Sequence, residues 1–257
     1  RLEESLITPK QAEEVLPLLE PGDVLFERRE WHLSNVGIPG FWTHMALYIG
    51  TPEQRRAFFD TASIRAWLAS HEGGSASIEE LLASRAPESY ATMLTPYEDG
   101  NRRRVIEAIA PGVTFTSFEK TAHADSLAVL RPRLGKVAKA VALVRAFGYG
   151  GRQYDYDFDF RTDAALVCSE LVYKCYEKGS ARAGLQLPIE VVAGRPLTPP
   201  NSVIRDYASR GDSGAPFDFI LFLDGYERPG RAVRADMQAL CRSWQRPKWH
   251  VFTRTLP

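Results

Sequence analysis

Residues 167–179 read Val-Cys-Ser-Glu-Leu-Val-Tyr-Lys-Cys-Tyr-Glu-Lys-Gly. Cys168, Leu171, Val172 and Cys175 fall at i, i+3, i+4 and i+7, the apolar stripe of a helix that faces a core. An extended segment, residues 164–167, precedes them, so the helix begins near Cys168, and Gly179 is expected to cap its end. A cysteine at a helix N-terminus lies beside backbone N–H groups with no helical partner. These favour the thiolate and can hold an oxyanion. The same stripe also suits a buried structural thiol, because free cysteine is among the most buried residue types. Periodicity leaves both readings of Cys168 open, and it favours core for Cys175 and for Cys241.

Upstream, residues 43–49 (Thr-His-Met-Ala-Leu-Tyr-Ile) read as a strand stopped by Gly50. His44, Ala46 and Tyr48 share one face, and Met45, Leu47 and Ile49 the other. The wholly apolar second face predicts core and turns His44 to the opposite side, at the strand start, where it could serve as a general base. The plainer alternative is a histidine satisfied by a backbone carbonyl. Glu107 stands inside the apolar run Val105–Ala110, where a carboxylate is costly unless paired. An imidazole N–H is one partner that justifies it, and a catalytic triad needs an acid in that role. The alternative is a one-sided sheet with Glu107 in water. Asp60, sixteen residues after His44, is a rival acid, and spacing alone does not choose between them.

Further elements follow from the same patterns. Residues 9–19 read as a short helix, Asp23–Arg28 as a strand, Leu127–Arg131 as a strand, and 134–147 as a helix. A Pro-rich loop at 195–200 leads to a last strand near 217–223, and 230–244 form a terminal helix. Between the His44 strand and the Glu107 strand, the capping-box pattern Ser77-Ile-Glu-Glu80 opens a helix. Residues 51–100 therefore read as a helical insertion, or a lid, on one domain that spans 1–257. Strands and helices mix without regular βαβ alternation, which predicts the α+β class.

Composition narrows the function classes. Hydrophobic residues make up 44% and charged residues 25%, and 32 basic side chains balance 32 acidic ones. That balance favours neither nucleic acid nor an anionic membrane surface as partner. No apolar run is long enough to span a bilayer, and no signal peptide is read. The first residue is Arg rather than Met, so a trimmed or processed chain fits equally well and no location follows. Three cysteines form no disulfide framework, and no Cys or His spacing suggests zinc. Asp155, Asp157 and Asp159 mimic the start of a calcium loop. Phe160 and Leu166 stand where that loop needs Gly and Glu, so no metal and no cofactor are expected.

In order, PGDVLFER, THMALYIG, VIEAIAPGV, LAVLRP, GGRQYDYDF and VCSELVYK cover most of residues 21–180. Together they resemble the YiiX/YebB-like cysteine hydrolases, relatives of the NlpC-type cell-wall peptidases in which the papain-like fold is circularly permuted. The resemblance implies an antiparallel sheet packed on the helix that carries the nucleophile. It implies Cys168 as nucleophile, His44 as base and Glu107, rather than Asp60, as the acid. It places Tyr154 beside the site as an oxyanion or substrate contact; an aromatic core residue is the equal alternative. It implies cleavage of an amide or peptide bond through an acyl-enzyme. It also allows lipid acyl transfer or thioester cleavage, a binding module that has lost activity, and a cell-envelope or periplasmic location. The expected partner is a small-molecule, peptide or lipid-like acyl substrate. The family joins its His and Glu strands by a short connection, whereas about sixty residues intervene here, which the insertion explains.

Overall fold

The computed structural model describes residues 5–29, 40–70, 74–154, 165–179, 183–192, 194–226 and 230–247. In chain order the elements are α1 (Pro9–Val15), β1 (Val24–Arg28), β2 (His44–Tyr48), α2 (Pro52–Phe59), α3 (Ala62–Ala69), α4 (Ile78–Arg85) and α5 (Pro87–Leu94). Next come β3 (Arg103–Ile109), β4 (Gly112–Ser117), α6 (Phe118–Ala122), β5 (Ser126–Pro132), α7 (Lys136–Tyr149), β6 (Gln153–Tyr154), β7 (Ala165–Leu166) and α8 (Cys168–Tyr176). The chain continues through β8 (Glu190–Val192), β9 (Arg195–Leu197), α9 (Pro200–Gly214), β10 (Phe217–Tyr226), β11 (Arg231–Ala235) and α10 (Met237–Ser243).

Nine strands form one sheet in the order β11-β10-β5-β1-β2-β3-β4-β6-β7, with every pairing antiparallel except β6–β7. This is a mixed, largely antiparallel α+β architecture, as the resemblance implies. Alternation along the central strands splits the apolar residues between two cores. Val24, Phe26, Met45, Leu47, Ile106 and Leu130 face one core, closed by α7, α8 and the helices between β2 and β3. Leu25, Ala46, Tyr48, Val105, Leu127 and Val129 face the other, closed by α1 and Phe118 of α6. Both faces of β2 are therefore buried, so the face that carries His44 is itself core beyond its first residue. Among the described residues no helix is long and apolar enough to cross a membrane.

The structure corrects several local expectations. Helix α8 stops at Tyr176, three residues before Gly179. The carbonyl of Tyr176 accepts the Leu185 N–H at 2.7 Å and Glu177 turns extended, so the chain leaves the helix to bridge to Leu185. Residues 230–244 are not one helix. Ala232 N–H donates to the Leu6 carbonyl and Ala235 pairs with Phe222, which makes a strand of 231–235 before α10 begins. The strand at 217–223 is thus not the last one. It follows a helix, α9, whose Val203, Ile204 and Tyr207 are buried in the first core.

Candidate active site

Glu107 and His44 lie on adjacent strands that pair antiparallel, with Leu47 opposite Ile106. That register sets Glu107 level with Ala46, on the face His44 shares. Nε2 of His44 is 2.7 Å from Oε2 of Glu107. The other carboxylate oxygen accepts from Thr116 Oγ1 and from Lys120 Nζ, each at 2.6 Å. Thr116 comes from β4 and Lys120 from α6, whose start is capped by the Ser117 hydroxyl. Glu107 is fully buried, and both of its oxygens are occupied. Burial pushes its carboxyl up. The Lys120 charge and the hydrogen bonds from His44 and Lys120 outweigh burial and hold the group well below the usual carboxylate range.

Cys168 is the first residue of α8, buried, behind Val167 in extended conformation, and no side chain caps the helix. The N–H groups of its first turn therefore point out of the helix end with no cap. Cys168 lies close enough to His44 for its charge to act on the ring. With Nε2 engaged by Glu107, Nδ1 is the ring nitrogen left for the sulfur. Burial alone would lower the His44 pKa. The charges of Cys168 and Glu27 and the hydrogen bonds with Cys168 and Glu107 overturn that and raise it to about 10. The other cysteines have different surroundings. Cys175 lies in the first core, where burial pushes its thiol up to about 12, and Cys241 packs at the edge of that core. Asp60 caps the end of α2, is mostly exposed, and pairs with Arg65.

Tyr154 is placed by its backbone, which pairs with Leu166 two residues before Cys168. Its side chain, and residues 155–164 with Asp155, Asp157 and Asp159, lie outside the described part of the structure. Three residues of the cluster were not singled out from the sequence. Thr116 and Lys120 arrive through a hairpin and a turn. The third, Glu27, stands directly across from His44 in the β1–β2 register. Glu27, His44 and Glu107 each offer one ligand atom, all within 4.8 Å of one another. A cation there would have to break the 2.7 Å His44–Glu107 hydrogen bond and sit beside Lys120 and Arg29. The donor set therefore fits proton sharing rather than metal ligation.

Residues 18–188 match the sequence profile of a peptidase family described as "Permuted papain-like amidase enzyme, YaeF/YiiX, C92 family". Among solved structures, the chain is similar to one titled as the metalloprotein yiiX from Escherichia coli O157:H7, DUF1105. The identity is 15%, the alignment covers 84% of this chain and 96% of that one, and the TM-score is 0.42. No curated protein matches.

Proposed function

From the premise that this chain belongs to the permuted papain-like amidase family, whose members are cysteine-type amidases and peptidases, we propose that Cys168, His44 and Glu107 are its catalytic triad. The observation that carries this reading is the 2.7 Å hydrogen bond between His44 and the buried Glu107, with Cys168 at the uncapped head of α8 near enough for its charge to act on the ring. The sulfur reacts as a thiolate once its proton has passed to His44. The thiolate attacks the carbonyl carbon of an amide, and the oxygen takes the electron pair as an oxyanion. Backbone N–H groups at the start of α8 hold that charge, with the Tyr154 hydroxyl as a candidate second donor. The C–N bond breaks as His44 gives its proton to the leaving amine. Water then attacks the thioester while His44 takes its proton, and the acid product leaves with the thiolate restored. Glu107 keeps the ring in the orientation that presents Nδ1 to sulfur and substrate, and Lys120 and Thr116 keep Glu107 in place. The substrate is a small molecule or peptide with an amide bond. The four helices at 52–94 are read as an insertion on a single hydrolase domain.

Site-resolved iodoacetamide alkylation against pH tests the assignment. Cys168 should react fast with a midpoint well below the reference of about 8.5, and His44→Ala should abolish that reactivity. Cys168→Ala should lose amide turnover without loss of the folded state. Alkylation of Cys168 no faster than that of Cys175 or Cys241 would remove it from the role of nucleophile.

A further inference from the structure

Glu27 is buried on β1, directly opposite His44. One of its oxygens, Oε2, accepts from Arg29 at 3.2 Å. The other, Oε1, is buried with no hydrogen-bond partner and lies 4.0 Å from Nε2 of His44. A carboxylate oxygen removed from water and left unpaired is costly, and such groups persist where something compensates them. The surrounding charges supply the compensation. Three cationic groups meet here: Arg29, Lys120 on α6 and the His44 imidazolium. On the triad reading the anions are Glu27, Glu107 on β3 and the thiolate that Cys168, at the head of α8, becomes when His44 holds its proton. Three positive and three negative charges cancel. Without the charge of Glu27, the cluster carries one net positive charge beside the His44 proton.

We infer that Glu27 is a positioning residue that keeps His44 protonated, acting through the field of its unpaired carboxylate oxygen rather than through a hydrogen bond. The inference rests on the reading of Cys168, His44 and Glu107 as the triad. The division of labour between the two carboxylates follows from their geometry. Glu107 grips Nε2 and fixes the direction of the ring. Glu27 adds attraction for the proton without a second directional contact, so it strengthens the ion pair without altering the ring direction that Glu107 sets. At 4 Å in a water-poor site, a charge–charge attraction is screened far less than on the surface. Burial pushes the Glu27 carboxyl above its ordinary value while His44 and Arg29 pull it back, as expected of an acid whose ionisation is linked to that of the imidazole.

The test is a histidine NMR titration of the full chain as wild type, Glu27→Gln and Glu27→Asp, with the His44 signal identified by its loss in His44→Gln. Wild-type His44 should hold its proton to about pH 10. In Glu27→Gln the midpoint should fall by about one unit or more, a tenfold or greater loss of proton affinity. Glu27→Asp, which keeps the charge, should stay within about half a unit of wild type. An unchanged midpoint in Glu27→Gln, or an equal fall in both variants, would overturn the inference and leave Glu27 a packing residue. If Glu27→Gln does not fold, Arg29→Gln gives the opposite perturbation. Its His44 midpoint should not drop below wild type, and a drop would count against the inference. Failure of the triad reading looks different. Wild-type His44 would then titrate at its ordinary value, and Cys168 would alkylate no faster than Cys175.

Discussion

Glu107 has no exposed surface, and His44, Thr116 and Lys120 take up both of its oxygens. Glu107→Gln preserves the shape and removes the charge. The amide cannot accept from both Lys120 and an imidazolium, so the ring loses its orienting partner. Turnover should fall by roughly 10²- to 10⁴-fold, in the range seen when the acid of a triad is neutralised. Asp60→Asn should leave the rate within about twofold, because exposed substitutions away from special contacts change little; Asp60 touches Arg65 at the surface. A rate assay of both variants decides, and the reverse ranking would move the acid to Asp60. The pH dependence of stability has a definite sign. The carboxyl of Glu107 is depressed in the folded state, so its contribution is present above its unfolded value near 4.5 and is lost as pH falls toward the folded one. This residue was legible in the sequence as a lone charge in an apolar strand. Glu27 carries the same signal, but the run Glu27-Arg28-Arg29-Glu30 reads as a solvated strand end. Lys120 and Thr116 had no local mark, since their relation to Glu107 exists only once β3 folds back on β4.

At the scale of elements, strong periodicity and turn chemistry were enough for β1, β2, β3, β5, α7 and the start of α8. The misses have physical reasons. In β4, Val113 and Phe115 alternate with Thr114 and Thr116, but the run is short and follows a Pro-Gly pair that reads as a stop. Helix α9 has Ser, Asp and Gly at many positions, and its buried side chains are what hold it in place. The helices between β2 and β3 were legible as a helical insertion, but their packing depends on one buried contact that no spacing rule predicts. Arg55, fully buried on α2, makes two hydrogen bonds of 2.7 Å to Glu79 on α4 and donates to the Gly50 carbonyl at 2.8 Å. Tyr90 of α5 donates to the same Glu79 at 3.0 Å. One ion pair thus ties three helices to the end of the strand that begins with His44. Glu79→Ala leaves the guanidinium buried without its counter-charge and should cost about 3–5 kcal/mol in urea unfolding. Arg55→Met combined with Glu79→Leu should recover much of that loss, because two apolar groups leave no buried charge. A single variant as stable as wild type would show the pair to be dispensable.

At the scale of the whole molecule, the family match ends at residue 188, while the packing around the base does not. Strand β10 pairs with β5 from Phe217 to Leu223 and supplies Phe222 to the Trp42 ring, two residues before His44. Trp42 Nε1 donates to Ser243 of α10 at 2.8 Å. Asn201 of α9 accepts the N–H groups of Phe41 and Trp42 through Oδ1 and donates to the Trp244 carbonyl at 3.1 Å. The C-terminal elements thus clamp the segment that enters the His44 strand, and they close an edge of β5 that would otherwise present unpaired backbone. Loss of residues 189–257 should therefore abolish cooperative unfolding, even though that segment carries none of the proposed triad. A milder variant separates clamp from core. Asn201→Ala leaves two N–H donors and one carbonyl short of partners and should lower stability by about 1–3 kcal/mol. It should also slow Cys168 alkylation at neutral pH, because the entry to His44 is no longer held. Urea unfolding and site-resolved alkylation of the same samples read the two effects separately. If residues 1–188 alone unfold cooperatively and keep a fast-reacting Cys168, the clamp is an accessory and the hydrolase unit is the shorter one. If they do not, the working unit of this enzyme extends to α10, well past the residues that the family profile matches.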